Sequence, residues 1–158
     1  MKIKKAILFT FLAVAMIFYA CTPKAISMFD YITPQFSGAN GEGTVKMDPN
    51  EFLRFQEAVY KQYIPEKDLN VWKGHIKIWG QSDDMTIDSN VAARLDRVQE
   101  MMEEIEIFKF YEFVPKESPE NLKNGDVVEI GIKKKEGAET KKINIKEETR
   151  TFVVEGLK

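Results

Sequence analysis

The sequence predicts an α+β fold: a mainly β domain with about two helices inserted in its middle, behind an N-terminal apolar signal or anchor helix. Three observations predict it. Residues 1–21 carry an apolar run closed by a cysteine. The stretch from about 50 to 104 holds two segments with apolar residues at helical spacing. Both flanks, 31–48 and 105–157, alternate in hydrophobicity between turns marked by glycine and asparagine.

The N-terminus comes first. Lys2, Lys4 and Lys5 precede the run Ala6–Ala20, in which Thr10 is the only polar residue, and the run stops at Cys21, the only cysteine. A basic region, an apolar region and a processing site make a bacterial export signal. Fifteen residues reach about 23 Å at roughly 1.5 Å each, short of a hydrocarbon core of about 30 Å. Thr22, Pro23 and Lys24 then end the run. The stretch resembles a lipoprotein signal peptide, in which a small residue precedes a cysteine that is diacylated and becomes the new N-terminus. Ala20 and Cys21 fit that pattern, whereas Phe18 and Tyr19 depart from its preference for Leu and a small residue. The alternatives are an uncleaved signal anchor, and ordinary cleavage after Ala20, which the bulk of Phe18 disfavours. Each places the domain outside the cytoplasmic membrane, at a bacterial cell envelope, with the membrane as its first partner.

The expected organisation is a signal peptide at 1–20, a tether at 21–30 and a single domain at 31–158. Removing residues 1–20 leaves 138, enough for one domain with a real core. The chain has 23 basic and 25 acidic residues; without the three signal lysines the balance is −5. That argues against nucleic acid, which requires clustered Lys and Arg. The runs Lys133–Lys135 and Lys141–Lys142 read as a solvated hairpin. With Cys21 acylated no disulfide can form, so stability must come from packing, much of it aromatic.

From Tyr31 the pattern is strand-like, through Ile32, Gln35 and Phe36. Gly38, Gly41 and Gly43 then mark tight turns or close backbone approach. Thr44 to Asp48 alternates, with Val45 and Met47 on one face, completing a strand–turn–strand unit. Asp48 can cap a helix, Pro49 suits its first position and Glu51 sits at the capping-box position. Phe52, Phe55, Val59 and Tyr63 carry the helix to about Tyr63, before Pro65. Ile76 and Ile78 alternate and predict a short strand within 69–80. A loop from Gln81 leads to Asp88 or Ser89, which caps a second helix bearing Val91, Leu95, Val98, Met102 and Ile105. The run Ile105 to Val114 reads as a buried strand. Asn124-Gly125 is a turn signal, expected to join Leu122 to a strand with Val127, Val128, Ile130 and Ile132. Glu136-Gly137-Ala138 turns into a returning strand with Ile143 and Ile145, and Thr151 to Leu157 is the last strand. The expected core holds Phe36, Val45, Phe52, Phe55, Phe110, Val128, Ile130, Phe152 and Val154.

Three segments carry a resemblance. Phe36-Ser37-Gly38-Ala39-Asn40-Gly41-Glu42-Gly43-Thr44 is similar to the FSGxNGxGT opening of β-sandwich (Ig-like) modules of exported Gram-positive surface proteins and lipoproteins. Asn121-Leu122-Lys123-Asn124-Gly125-Asp126-Val127-Val128 resembles their LxNGDxV hairpin, and Phe152-Val153-Val154-Glu155-Gly156-Leu157 their closing VxGL strand. The likeness frames residues 31–157 and leaves about 50–115 unmatched. It implies an antiparallel sandwich-like domain at the cell surface. The modules are largely uncharacterised, so it implies no catalytic residue.

The chemistry-bearing residues point the same way. His75 is the only histidine, and Asp83, Asp84 and Asp88 near it lack the glycine-centred calcium-loop pattern, so a metal site is not expected. No nucleophile elbow accompanies His75. Glu103/Glu104 and Glu147/Glu148 could serve glycoside chemistry as carboxylate pairs, but adjacent acids usually face water. The glycines at 38–43 lack the Lys and following helix of a phosphate loop. Trp72 and Trp79 flank a glycine-punctuated segment. With Tyr60, Tyr63 and Tyr111 they could line a sugar platform, or belong to the core. The sequence thus predicts a non-enzymatic binding or scaffolding module without cofactor, with an envelope protein or glycan as candidate partner. A ligand-binding lipoprotein with an aromatic cleft stands second, and a hydrolase third.

Overall fold

The computed structural model describes residues 23–79 and 88–158, with side chains of 75–79 left aside. Residues 1–20, expected as a signal peptide, and Cys21 lie outside the described residues, as do Asp83 and Asp84. The fold is α+β. Among the described residues it contains two small antiparallel sheets and three helices of more than two turns.

The chain enters through a single 3-10 turn at Met28–Asp30. β1 (Gln35–Ser37) and β2 (Thr44–Lys46) pair as the expected strand–turn–strand unit, Phe36 opposite Val45. Helix α1 (Pro49–Tyr60) starts where the sequence places it: Asp48 Oδ1 accepts from Asn50 N at 2.7 Å, and Pro49 opens the first turn. Glu51 does not close a capping box. Its Oε2 accepts from Thr33 N at 2.9 Å and fastens the entering chain to the helix. Helical hydrogen bonding gives way to turns over 61–63, just before Pro65.

The strand expected within 69–80 is instead helix α2 (Glu66–Trp79). The Pro65 carbonyl accepts from Asp68 and Leu69 N at 2.9 and 3.1 Å and starts it. Leu69, Trp72, Ile76 and Trp79 recur at helical spacing, which outweighs a single Ile–Ile alternation; Gly74 costs such a helix only about 1 kcal/mol. Helix α3 (Ser89–Glu104) is capped by Asp88, whose Oδ1 accepts from Asn90 N at 2.8 Å. It packs against α2, where Arg94 Nη2 meets Asp68 Oδ1 at 2.8 Å.

The apolar run after α3 divides. Ile107–Phe110 is a single helical turn, α4, and only Tyr111–Val114 is strand, β3. A continuous strand would turn Ile105, Ile107 and Tyr111 to one face, but Lys109 with them; with a helical turn at 107–110 the three apolar residues are buried and Lys109 is exposed. β3 pairs with β4 (Val127–Lys134), and β4 with β5 (Glu148–Val153). One strand, β5, thus stands where two were expected: the segment with Ile143 and Ile145 is not strand, and the last strand, expected over Thr151 to Leu157, ends at Val153. Ile143 and Ile145 are buried all the same, and Ile145 bridges the N-terminal segment at Ile26 in parallel. Nor does Asn124-Gly125 join a hairpin between Leu122 and β4. Gly125 has φ +93°, as a tight turn requires, but its N–H donates to Val154 O at 2.9 Å, while Leu122 bridges Gly43.

Residues 23–30, expected as a tether, are built into the domain. Ile26 N donates to Asn144 O at 3.0 Å, Lys146 N donates to Ile26 O at 2.9 Å, and Met28 is 0% exposed. Of the expected core, Phe55, Val128, Ile130 and Val154 are buried. Phe36, Val45, Phe52, Phe110 and Phe152 are partly buried and pack against that core.

The three motif segments meet at one place, a latch between the β1–β2 turn, the loop before β4 and the C-terminus. Gly41 N and Gly43 N donate to Leu122 O at 2.9 and 3.1 Å, and Asn40 N donates to Lys158 O at 2.7 Å. The Asn124 side chain works both ways on Leu157: Nδ2 donates to its carbonyl at 3.0 Å and Oδ1 accepts from its N–H at 3.0 Å. Gly38 and Gly41 hold positive φ. Gly43 is required by closeness, since a Cβ there would lie 2.5 Å from Leu157 Cδ1 and 3.0 Å from Leu122 O. Gly38, Gly41, Gly43, Asn124 and Gly125 are thus structural residues.

Candidate functional site

A concavity lies between α1 and α2. It is an open groove of about 570 Å³ lined by Leu53, Gln56, Glu57, Tyr60, Leu69 and Trp72, with Lys73 and Gly74 at one side. Such a volume is ample for a small ligand.

Two stripes of α1 explain it. Phe52, Phe55 and Val59 face the core, where the Phe55 ring stands 6.2 Å from Tyr31 and 6.5 Å from Phe52. One step around the helix, Leu53, Gln56, Glu57 and Tyr60 fall at spacings of three and four and form the groove wall. Leu53, on this wall, is 58% exposed. On α2, Leu69 is buried beneath the groove and Trp72 is half-buried, one part against the core and one part open.

The polar rim is fixed by charge. Glu57 Oε1 meets Lys73 Nζ at 2.8 Å across the groove and Lys61 Nζ at 3.1 Å on its own helix. Hydrogen bonds from Lys73, then Lys61, hold the Glu57 carboxyl below its usual range, so it stays ionised. Gln56 Nε2 donates to the Tyr60 hydroxyl at 2.8 Å, and burial pushes that phenol upward. Both groups thereby keep their ordinary neutral-pH charge. They can orient a ligand by hydrogen bonding, and neither is tuned to exchange a proton near pH 7.

Of the platform predicted from sequence, Trp72 lines the groove and Tyr60 forms its floor. Trp79 is the last residue of α2, and its side chain and that of His75 lie outside the described ones. Tyr63 and Tyr111 are elsewhere: Tyr63 Oη donates to Glu104 Oε2 at 3.0 Å, and Tyr111 Oη accepts from Ile145 N at 3.2 Å in the core. The acids of the two carboxylate pairs have structural partners, Glu103 Oε1 accepting from Gln99 Nε2 at 3.3 Å. Glu104 also takes Lys142, Glu147 accepts from Lys134 N at 3.0 Å, and Glu148 binds Ser27 and Lys146. No group of three or more His, Cys, Asp or Glu among the described residues is placed to hold a metal ion. Leu53, Gln56, Glu57 and Lys73 were missed by sequence reasoning. The one available signal was the second, exposed stripe on α1.

Comparison with protein families, with curated proteins and with solved structures gave no match to this chain.

Proposed function

We propose that the chain is an extracytoplasmic, membrane-tethered module of a bacterial cell envelope that binds or scaffolds without catalysis, anchored by diacylation of Cys21. The observation that carries this reading is the basic–apolar–cysteine order of residues 2–21. Kinship with the sandwich-type surface modules belongs to the same proposal; its support is that the three resembling segments meet in one latch. Cys21→Ser should abolish fatty-acid labelling in cells and leave an unprocessed precursor. Labelling that persists in the variant would sink the lipoprotein reading, and an intact N-terminus on the parent chain would favour a signal anchor.

A second reading is supported by the groove: a ligand-binding lipoprotein that stacks a glycan or another envelope component on Trp72. Half-exposed Trp72 above Leu69 and Tyr60, with Gln56 and Glu57 on the rim, suits a ligand with one apolar face and polar edges. Soluble envelope glycan fragments should quench tryptophan fluorescence in the parent chain and not in Trp72→Ala. Equal quenching in both would remove the groove from consideration.

A further inference from the structure

The described chain begins at Pro23, two positions after Cys21, and it is fastened from that residue on. Asn144 Nδ2 donates to Pro23 O at 2.9 Å, and Gln62 Nε2 donates to Lys24 O at 2.6 Å. Gln62 in turn binds Asn144 twice, Nε2 to O at 3.1 Å and Oε1 from N at 2.7 Å. Two residues of extended chain span about 7 Å at most. An anchor at Cys21, or an uncleaved apolar segment ending at Ala20, therefore brings the surface around Pro23 to the level of the lipid headgroups.

That surface carries lysines. A shallow hollow of about 250 Å³ there is lined by Pro23, Lys134, Lys141, Asn144 and Glu147, among others. Lys24 and Lys141 are exposed, and the Lys146 side chain, 57% exposed, stands beside them in sequence. Acids are present too: Glu147 lines the same hollow, Glu148 takes Lys146 at 3.0 Å, and Glu104 takes Lys142. Lys24 and Lys141 meet no carboxylate in an ion pair among the described residues. Set against the exposed Glu139 and Glu147, Lys24, Lys134 and Lys141 leave a small excess of lysine at the point from which the chain would leave for the membrane.

We infer that this lysine face rests on anionic phospholipid headgroups and sets the orientation of the domain on the bilayer. The inference rests on the envelope-anchor reading. Attraction to an anionic surface fades within a Debye length, about 8 Å at physiological salt. A floppy tether would let the lysines drift beyond that distance; a chain fastened from Pro23 keeps them inside it. The groove-bearing helices would then be held at a fixed attitude to the envelope.

The test uses the full chain purified from bacterial membranes, in vesicles of phosphatidylcholine alone or mixed with phosphatidylglycerol. A spin label is placed at Glu139→Cys, beside Lys141, or at Val127→Cys. Val127 and Lys134 are opposite ends of β4, about 23 Å apart at roughly 3.3 Å per residue. A nickel-chelating lipid headgroup should relax the label at 139 several-fold more than that at 127 in anionic vesicles. The difference should shrink in neutral vesicles, in high salt and in Lys24→Glu/Lys141→Glu. Equal relaxation at the two sites, or indifference to the charge swap, in protein that floats with the vesicles would overturn the lysine face and leave the anchor reading standing. Protein that floats with neither vesicle, or a parent chain that takes the label at a free Cys21 and washes off the bilayer, would overturn both.

Discussion

The latch and the groove are built by different means, and the difference separates what holds this molecule from what it presents. The latch is made of backbone: glycines that admit close approach, and one asparagine that serves both the N–H and the carbonyl of Leu157. Leu122, Val154 and Leu157 are buried at it. The groove is made of side chains on two helices, with an exposed leucine, a half-open tryptophan and an ion pair across its rim. Backbone hydrogen bonds and buried leucines stabilise a fold whatever it binds. An exposed Leu53 contributes little to stability, so the groove wall can change with little effect on the fold.

The largest effect should therefore come from the latch. Leu157 is 7% exposed, and Leu157→Ala should lower stability by about 2–5 kcal/mol in chemical denaturation, whereas Leu53→Ala should stay within about 0.5 kcal/mol. Gly43→Ala alone should cost about 1–3 kcal/mol by forcing Leu157 aside. In the Leu157→Ala background that cost should fall, since the nearest methyl is gone and only Leu122 O remains close. Strict additivity of the two substitutions would mean that Gly43 is needed for something other than room for Leu157.

The latch was legible in the sequence because its residues have few substitutes: glycine at positive φ, or where a Cβ would collide, and Asn-Gly at a turn. What the sequence did not reveal is their pairing. Asn124-Gly125 looks like a local hairpin, yet it closes on Val154 and Leu157, some thirty positions away. Helices α1 and α3 were legible from their caps, Asp48 and Asp88, which act within two residues. Helix α2 was misread because Ile76–Ile78 and two flanking glycines imitate a strand, and tertiary packing on α3 decides otherwise. The segment 23–30 looked like a tether since its anchors, Gln62 and Asn144, lie far along the chain. The groove was legible only as Trp72 and Tyr60. Leu53, Gln56 and Glu57 carry no signal beyond their spacing on α1.

A middle-sized effect should follow from Asn124. Its amide serves both hydrogen-bonding groups of Leu157, and removing it leaves a part-buried N–H and C=O without that partner. Asn124→Ala should cost about 1–3 kcal/mol in thermal or urea unfolding. Asn124→Asp keeps an acceptor for the Leu157 N–H and loses the donor to the Leu157 carbonyl, so it should fall between the parent chain and alanine at neutral pH. An alanine variant as stable as the parent would show that the C-terminus is held by Leu157 packing alone. That would narrow the contrast between latch and groove to burial.

The smallest effect should come from the groove rim, and pH can isolate it. Glu57 is ionised with its carboxyl held below the usual range, first by the hydrogen bond from Lys73 and then by that from Lys61. A carboxylate whose folded value is depressed adds stability that is fully present above its unfolded value, about 4.3, and is lost as pH falls through the folded value. Glu57→Gln should therefore lower the unfolding midpoint slightly at pH 7, and the gap to the parent chain should close as the solution is acidified below about pH 4. Salt should narrow the gap at neutral pH as well, because the lysine side chains, 45% and 44% exposed, are open to screening. Lys73→Met should reproduce most of the change and Lys61→Met less, since only Lys73 links α1 to α2. A gap that persists unchanged in acid would mean that Glu57 acts through packing of its stem, and the rim would then hold the two helices by contact rather than by charge.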